Sequence, residues 1–264
     1  MDLVARLLPL VGVGLGVGLL AGTFGIGGGV LAVPALGVLM GLDQHVAQGT
    51  SLATIVPTTA LGAYRYARRG YVRWDAALRL GAAALCFGFL GAHVSLALPS
   101  RALDIIFAAF VVFLAVRAAR GGAPPHAVPP TGARRSGTGE AGVQRRHGPL
   151  QIGIGALVGL VAGLLGIGGG SVANPLLVLL CDFPQQVAQG TTLGAIVLSS
   201  LSGLFGYVTA GKVDWIAAVA LFTGAMATVP VGAAVAHRLP EPTLRRVFAV
   251  FLIAITAVEV ARAL

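Results

Sequence analysis

The chain has 264 residues, of which 56% are hydrophobic and only 10% charged, and its mean hydropathy is +0.90, which leaves too little polar surface for a soluble domain. Its net charge of +9 does not indicate a nucleic-acid partner, because the basic residues flank apolar runs or crowd one central stretch, as cytoplasmic loops do. The composition therefore predicts an all-α polytopic membrane protein in a lipid bilayer: the runs reach helical span length and lack the alternation of barrel strands.

The first run, Leu3 to Leu20, passes into glycine without a small-residue cleavage region, which predicts a retained segment and no cleavable signal peptide. It leads to GTFGIGGGVLAVPAL at 22–36, where Gly25, Gly27, Gly28 and Gly29 precede Pro34. Glycine costs a helix interior about 1 kcal/mol and proline about 3, so a segment built only to span lipid avoids both. Next comes VAQGTSLATIV at 46–56, carrying Gln48, Thr50 and Ser51, and then two longer apolar stretches, 74–97 and 103–119.

Residues 120–149 are rich in Gly, Pro and Arg, and their composition predicts a disordered cytoplasmic linker. His126 and His147 within it lack neighbours at metal-ligand spacing, so no metal is expected. Beyond the linker the chain repeats itself at a constant offset of 141 residues, Gly25 onto Gly166 and Pro34 onto Pro175. GLLGIGGGSVANPLL at 163–177 supplies Gly166, Gly168, Gly169, Gly170 and Asn174, and VAQGTTLGAIV at 187–197 supplies Gln189, Thr191 and Thr192. Tyr66 maps onto Tyr207, Trp74 onto Trp215 and Pro99 onto Pro240 without a gap, a register that identifies an internal duplication.

Each copy holds about five apolar segments, in the first 3–22, 29–41, 47–66, 74–97 and 103–119, in the second 150–164, 170–181, 188–208, 215–236 and 243–262. Three units follow: a first membrane repeat over 1–119, the linker over 120–149, and a second membrane repeat over 150–264. Arg65, Arg68, Arg69 and Arg73 flank the loop before the fourth segment of the first copy. In the second copy the basic cluster moves one loop on, to His237, Arg238, Arg245 and Arg246. That displacement predicts inverted-topology repeats, with a broken helix or re-entrant hairpin at each GIGGG.

Non-helical backbone at membrane depth has to be buried in protein or line a polar cavity. The short segments after Gly29 and Gly170 then read as half-helices whose first N–H groups and positive dipole ends point inward, an anion site made of backbone. Packing alone accounts for Gly14, Gly18 and Gly22 and their counterparts Gly155, Gly159 and Gly163 as small-xxx-small ridges. Gln48, Thr50, Ser51, Gln189, Thr191 and Thr192 read either as helix caps or as neutral donors lining a substrate. Asn174, opposite Val33 in the first copy, either orients substrate or bonds a carbonyl freed by Pro175. His93 is the deepest ionisable residue, a packing histidine or a proton-coupling one. Cys86 and Cys181 form no motif, Trp74 and Trp215 read as interfacial anchors, and no nucleophile, acid pair or cofactor fingerprint is present, which argues against an enzyme.

The duplicated GIGGG…P and QGT[ST]L motifs resemble the sulfite exporter TauE/SafE family over both halves. The resemblance implies a bacterial inner-membrane, multi-pass transporter of a small sulfur-containing anion such as sulfite or an organosulfonate, needing no cofactor. It names no catalytic residue, so the site residues above rest on the backbone argument. An inside-negative potential favours anion exit, which makes an exporter the expectation; an importer or a passive anion channel is the alternative.

Overall fold

The computed structural model describes residues 3–24, 27–119 and 148–236. Gly25, most of the linker and the segment at 243–262 lie outside the described residues. The described chain forms nine helices: α1 (Leu3–Phe24), α2 (Gly29–Met40), α3 (Gln44–Arg68), α4 (Trp74–Ala97), α5 (Ser100–Ala119), α6 (Gly148–Leu165), α7 (Gly170–Cys181), α8 (Gln185–Thr209) and α9 (Trp215–Ala236). Among the described residues, α4, α6, α8 and the 215–232 part of α9 are long and apolar enough to cross a membrane. Their outward faces carry large apolar side chains such as Leu78, Phe205, Ile216 and Val219, the surface a bilayer solvates.

Several helices begin earlier than the hydropathy runs. α3 starts three residues before its run because Asp43 caps it, accepting a hydrogen bond from the His45 backbone N–H at 3.3 Å, a polar start that hydropathy does not register. α6 likewise begins at Gly148, two residues inside the stretch read as linker.

The chain breaks between α1 and α2 because the backbone enters a region closed to L-residues. Gly28 has φ 79° and Gly169, its counterpart before α7, φ 78°. A Cβ at Gly28 would stand 2.6 Å from Val17 Cγ1, and one at Gly169 the same distance from Val158 Cγ1. Positive φ and close approach thus coincide, and only glycine satisfies both. After the break α2 turns back along α1, with Gly28 against Val17 and Leu31 against Gly16.

Packing between the copies is reciprocal. Gly14 and Gly18 of α1 lie against Leu221 and Ala225 of α9, while Gly155 and Gly159 of α6 lie against Leu80 and Ala84 of α4. Every residue of one seam maps onto the other by the same 141-residue offset. These are glycine seams in which backbones meet directly, the packing that replaces hydrophobic driving force where the surroundings are already apolar.

α3 and α8 form the middle pair and run antiparallel. The Thr50 hydroxyl, near the start of α3, accepts from the Asp214 N–H just after α8, at 2.9 Å. Thr191, near the start of α8, accepts from the Arg73 N–H just after α3, at 3.1 Å. Tyr71 and Lys212 lie beside these opposite contacts, since Gly190 abuts Tyr71 and Gly49 abuts Lys212. A 25-residue helix separates the two ends, about 37 Å at 1.5 Å per residue.

Candidate functional site

The two breaks meet at the centre of the protein. A Cβ on Gly29 would fall 2.6 Å from Ile167 Cα and 2.9 Å from the Gly166 carbonyl oxygen, and one on Gly168 would touch Ile55 and Ile196 at 3.1 Å each. Ile55 and Ile196 are themselves counterparts, so the contact lies at the pseudo-twofold centre of the duplication. Gly27 and Gly29 of the first break thus lie against the Gly166–Ile167 backbone of the second, and Gly168 against Ile55 of α3, whereas Gly28 and Gly169 pack on Val17 and Val158 of their own copies.

Both half-helices begin with spare donors. The first helical bonds of α2 run from the N–H groups of Leu31 and Ala32 to the Gly28 carbonyl, and those of α7 from Val172 and Ala173 to the Gly169 carbonyl. The N–H groups of Gly29 and Gly170 stand ahead of that ladder, where the helix supplies no acceptor.

The polar side chains around the breaks divide into two groups. One group ties the copies together. Gln48 is fully buried, and its Oε1 accepts from Tyr207 Oη at 2.7 Å and from Ser95 Oγ at 2.9 Å. Gln189 Oε1 accepts from Tyr66 Oη at 3.0 Å, the same pairing with the copies exchanged. Ser51 donates to the Gly166 carbonyl at 2.9 Å and so fixes the second break from the first copy. With the Thr50 and Thr191 loop contacts, these bonds give five residues of the QGT[ST] motifs definite partners in the opposite copy. None of them caps a helix; Asp43 and Pro184 occupy the cap positions of α3 and α8.

The second group consists of buried polar atoms without a hydrogen-bond partner: Gln48 Nε2, Ser171 Oγ, Thr192 Oγ1 and Ser200 Oγ. Asn174 is buried on the second turn of α7. Buried donors normally find partners; of these four, Ser171 stands on a half-helix and the others on α3 and α8 beside it, while Gln44 at the start of α3 is likewise unpartnered. Among the described residues no group of histidines, cysteines or carboxylates could hold a metal.

Sequence reasoning missed Tyr66, Tyr207, Ser95, Ser171 and Ser200 as members of this centre. A usable signal existed for the tyrosines, which superpose under the duplication although a buried phenol needs a partner. His93 is exposed, its ring 4.1 Å from that of Phe89. Among the described residues the buried histidine is His45, whose Nε2 faces the carbonyls of Ser95 at 3.1 Å and Leu98 at 3.2 Å and therefore donates to them. Asp43 lies 3.0 Å from the His45 Nδ1. Its partial burial raises the carboxyl pKa, but hydrogen bonds from Ser100 and His45 outweigh that and hold it below its usual value.

Apolar outer faces, helices of span length and a duplicated, donor-lined break at the centre define a multi-pass α-helical membrane protein with the architecture of a transporter. The chain belongs to the sulfite exporter TauE/SafE family, whose profile matches residues 10–258. It is 31% identical to the probable membrane transporter protein YunE of Bacillus subtilis, over 90% of this chain and 93% of that protein. It is 32% identical to the probable membrane transporter protein MJ0441 of Methanocaldococcus jannaschii, over 80% and 76%. A probable membrane transporter protein of Xylella fastidiosa is 27% identical over 96% and 94%. No solved structure matches significantly.

Proposed function

We propose that this transporter exports a small sulfur-containing anion, sulfite or an organosulfonate, across the bacterial inner membrane, and that the anion rests where the two glycine breaks meet. The observation that carries this reading is the contact between Gly29, at the start of α2, and the Gly166–Ile167 backbone of the turn that leads into α7, which supports a shared seat for the two half-helix starts and their spare N–H donors. Such ends favour negative charge through both the free N–H groups and the helix dipole. The Nε2 of Gln48 and the hydroxyl of Thr192 add neutral donors. Thr50, Ser51 and Thr191 act at one remove, by holding the loops and the break in place.

Among the described residues the buried polar side chains are hydroxyls, amides and His45. A site of neutral donors holds an anion loosely enough to release it, the balance that conduction requires. An inside-negative potential adds about 2.3 kcal/mol per charge per 100 mV in the outward direction, so export proceeds without a coupled cation.

Proteoliposomes under an imposed inside-negative potential test this directly. Sulfite efflux is expected to be saturable, accelerated by sulfite on the trans side, and competed by sulfoacetate more strongly than by chloride. Wild-type protein that moves neither sulfite, sulfate, taurine nor sulfoacetate would remove the substrate assignment. Efflux that stops when a proton gradient is collapsed at constant electrical potential would count against uncoupled export.

The antiparallel α3 and α8 pair supports the further reading that the two copies lie inverted in the bilayer. In a background with Cys86 and Cys181 replaced, Tyr71→Cys should react with a membrane-impermeant maleimide from the cytoplasmic side and Lys212→Cys only from the other. Labelling of both from one side would sink the inverted arrangement.

A further inference from the structure

The two breaks look alike in glycine, yet their side chains differ. On the first turn of α7 stands Ser171, where α2 has Val30; on α8 stands Ser200, where α3 has Thr59. Val30 is part of the apolar core. The Thr59 hydroxyl is satisfied inside its own helix, donating to the Ile55 carbonyl at 2.7 Å. In the second copy the corresponding hydroxyls are free: Ser171 is 7% exposed and Ser200 0% exposed, and neither Oγ has a partner. The Ile55 carbonyl accepts from Thr58 as well, at 3.0 Å; the equivalent carbonyl, that of Ile196, keeps the matching bond from Ser199 Oγ at 3.1 Å but receives none from Ser200. Ser200 Oγ comes within 3.2 Å of where a Cβ on Gly168 would stand, so it faces the break itself.

A buried hydroxyl left unbonded forfeits the hydration it had in water, and the first copy shows two ways in which the same fold avoids that cost. We propose that the anion, resting where the two breaks meet, takes its side-chain hydroxyl donors from the second copy alone, with Ser171 Oγ and Ser200 Oγ donating to its oxygens beside the Gly170 N–H. The first copy presents the apolar Val30 and a self-satisfied Thr59 in the matching places. This rests on the reading that the substrate is a small anion, and it narrows the class to those presenting a compact head of several acceptor oxygens, as sulfite and sulfonates do. Hydroxyls and N–H groups can each donate to a separate oxygen of such a head, whereas chloride offers one centre and no directed acceptors.

The test compares Ser171→Val with Ser200→Ala, singly and combined, against Ser171→Thr and against Thr59→Val on the opposite side. Two readouts are taken with sulfite as the probe: the KM of efflux in proteoliposomes, and the rise in thermal midpoint that sulfite gives the purified protein. The combined variant is expected to raise KM at least tenfold and to lose the sulfite-induced rise while its ligand-free midpoint stays near wild type. Ser171→Thr keeps a hydroxyl and should retain most of the affinity, and Thr59→Val should change KM less than twofold. Wild-type efflux with an unchanged KM in the combined variant overturns the one-sided seat and leaves the transport reading standing, as does an equal loss in Thr59→Val. Wild-type protein that neither moves nor binds sulfite, sulfate, taurine or sulfoacetate overturns both.

Discussion

Gly28→Ala combined with Gly169→Ala is expected to lower the thermal midpoint sharply and to abolish efflux in whatever fraction still folds. At both positions φ is close to 80°, and an L-residue held there costs about 1–2 kcal/mol. The added methyl also runs into Val17 Cγ1 or Val158 Cγ1 at 2.6 Å, with the Val17 or Val158 carbonyl oxygen at 3.0 or 2.7 Å behind it. Overpacking of that kind costs about 1–3 kcal/mol. Each substitution therefore destabilises by about 2–5 kcal/mol. The pair need not add, because the two breaks touch through Gly29 and Ile167, and contacting sites couple. Thermal unfolding in detergent, followed by flux normalised to monodisperse protein, measures both effects. A doubly substituted protein with wild-type midpoint and flux would mean that the turns do not need glycine.

Gly18→Leu and Gly159→Leu should each separate a helix pair and should do so to the same extent. A side chain at Gly18 meets the backbone of Ala225 and one at Gly159 the backbone of Ala84, with Cα atoms 2.6 Å from the Cβ position in both cases. Backbone cannot rotate away as a side chain can, so the helices have to part, and each seam loses close contacts along its length. The expected result is aggregation or a loss of midpoint larger than that of either single glycine-break variant. Size-exclusion profiles and unfolding midpoints of the two variants, compared side by side, check it. A mild effect at one seam and a severe one at the other would show that the two seams are not energetically equivalent.

Much of the architecture can be read in the sequence because it depends on composition and spacing. The duplication, the glycine breaks and the apolar segments are one-dimensional signals, and both ends of α4 and α7 and the start of α9 coincide with their runs. The start of α3 does not, since Asp43, Gln44 and His45 are polar residues that hydropathy assigns to a loop. Partnership was harder to read. Gln48 invites a ligand role when seen alone, and its actual partner, Tyr207, lies 159 residues away. Thr50 and Thr191 have the chemistry of substrate donors, but the fold uses their lone pairs to hold loops of the other copy. Ser171 and Ser200 carry no signal in sequence because serine in an apolar helix ordinarily bonds back to its own carbonyls, and only the packed fold leaves these hydroxyls over.

The exchanged contacts also bear on how such a chain could arise. Gln48 meets Tyr207 as Gln189 meets Tyr66, and Thr50 meets the turn after α8 as Thr191 meets the turn after α3. This is the signature of an isologous interface, in which one patch recognises its own image. A single half-length ancestor would have carried both sides of every bond and could have assembled with a second molecule of itself running the opposite way. Fusing two such copies lets each half diverge on its own, which is how matching positions can hold Val30 in one half and Ser171 in the other.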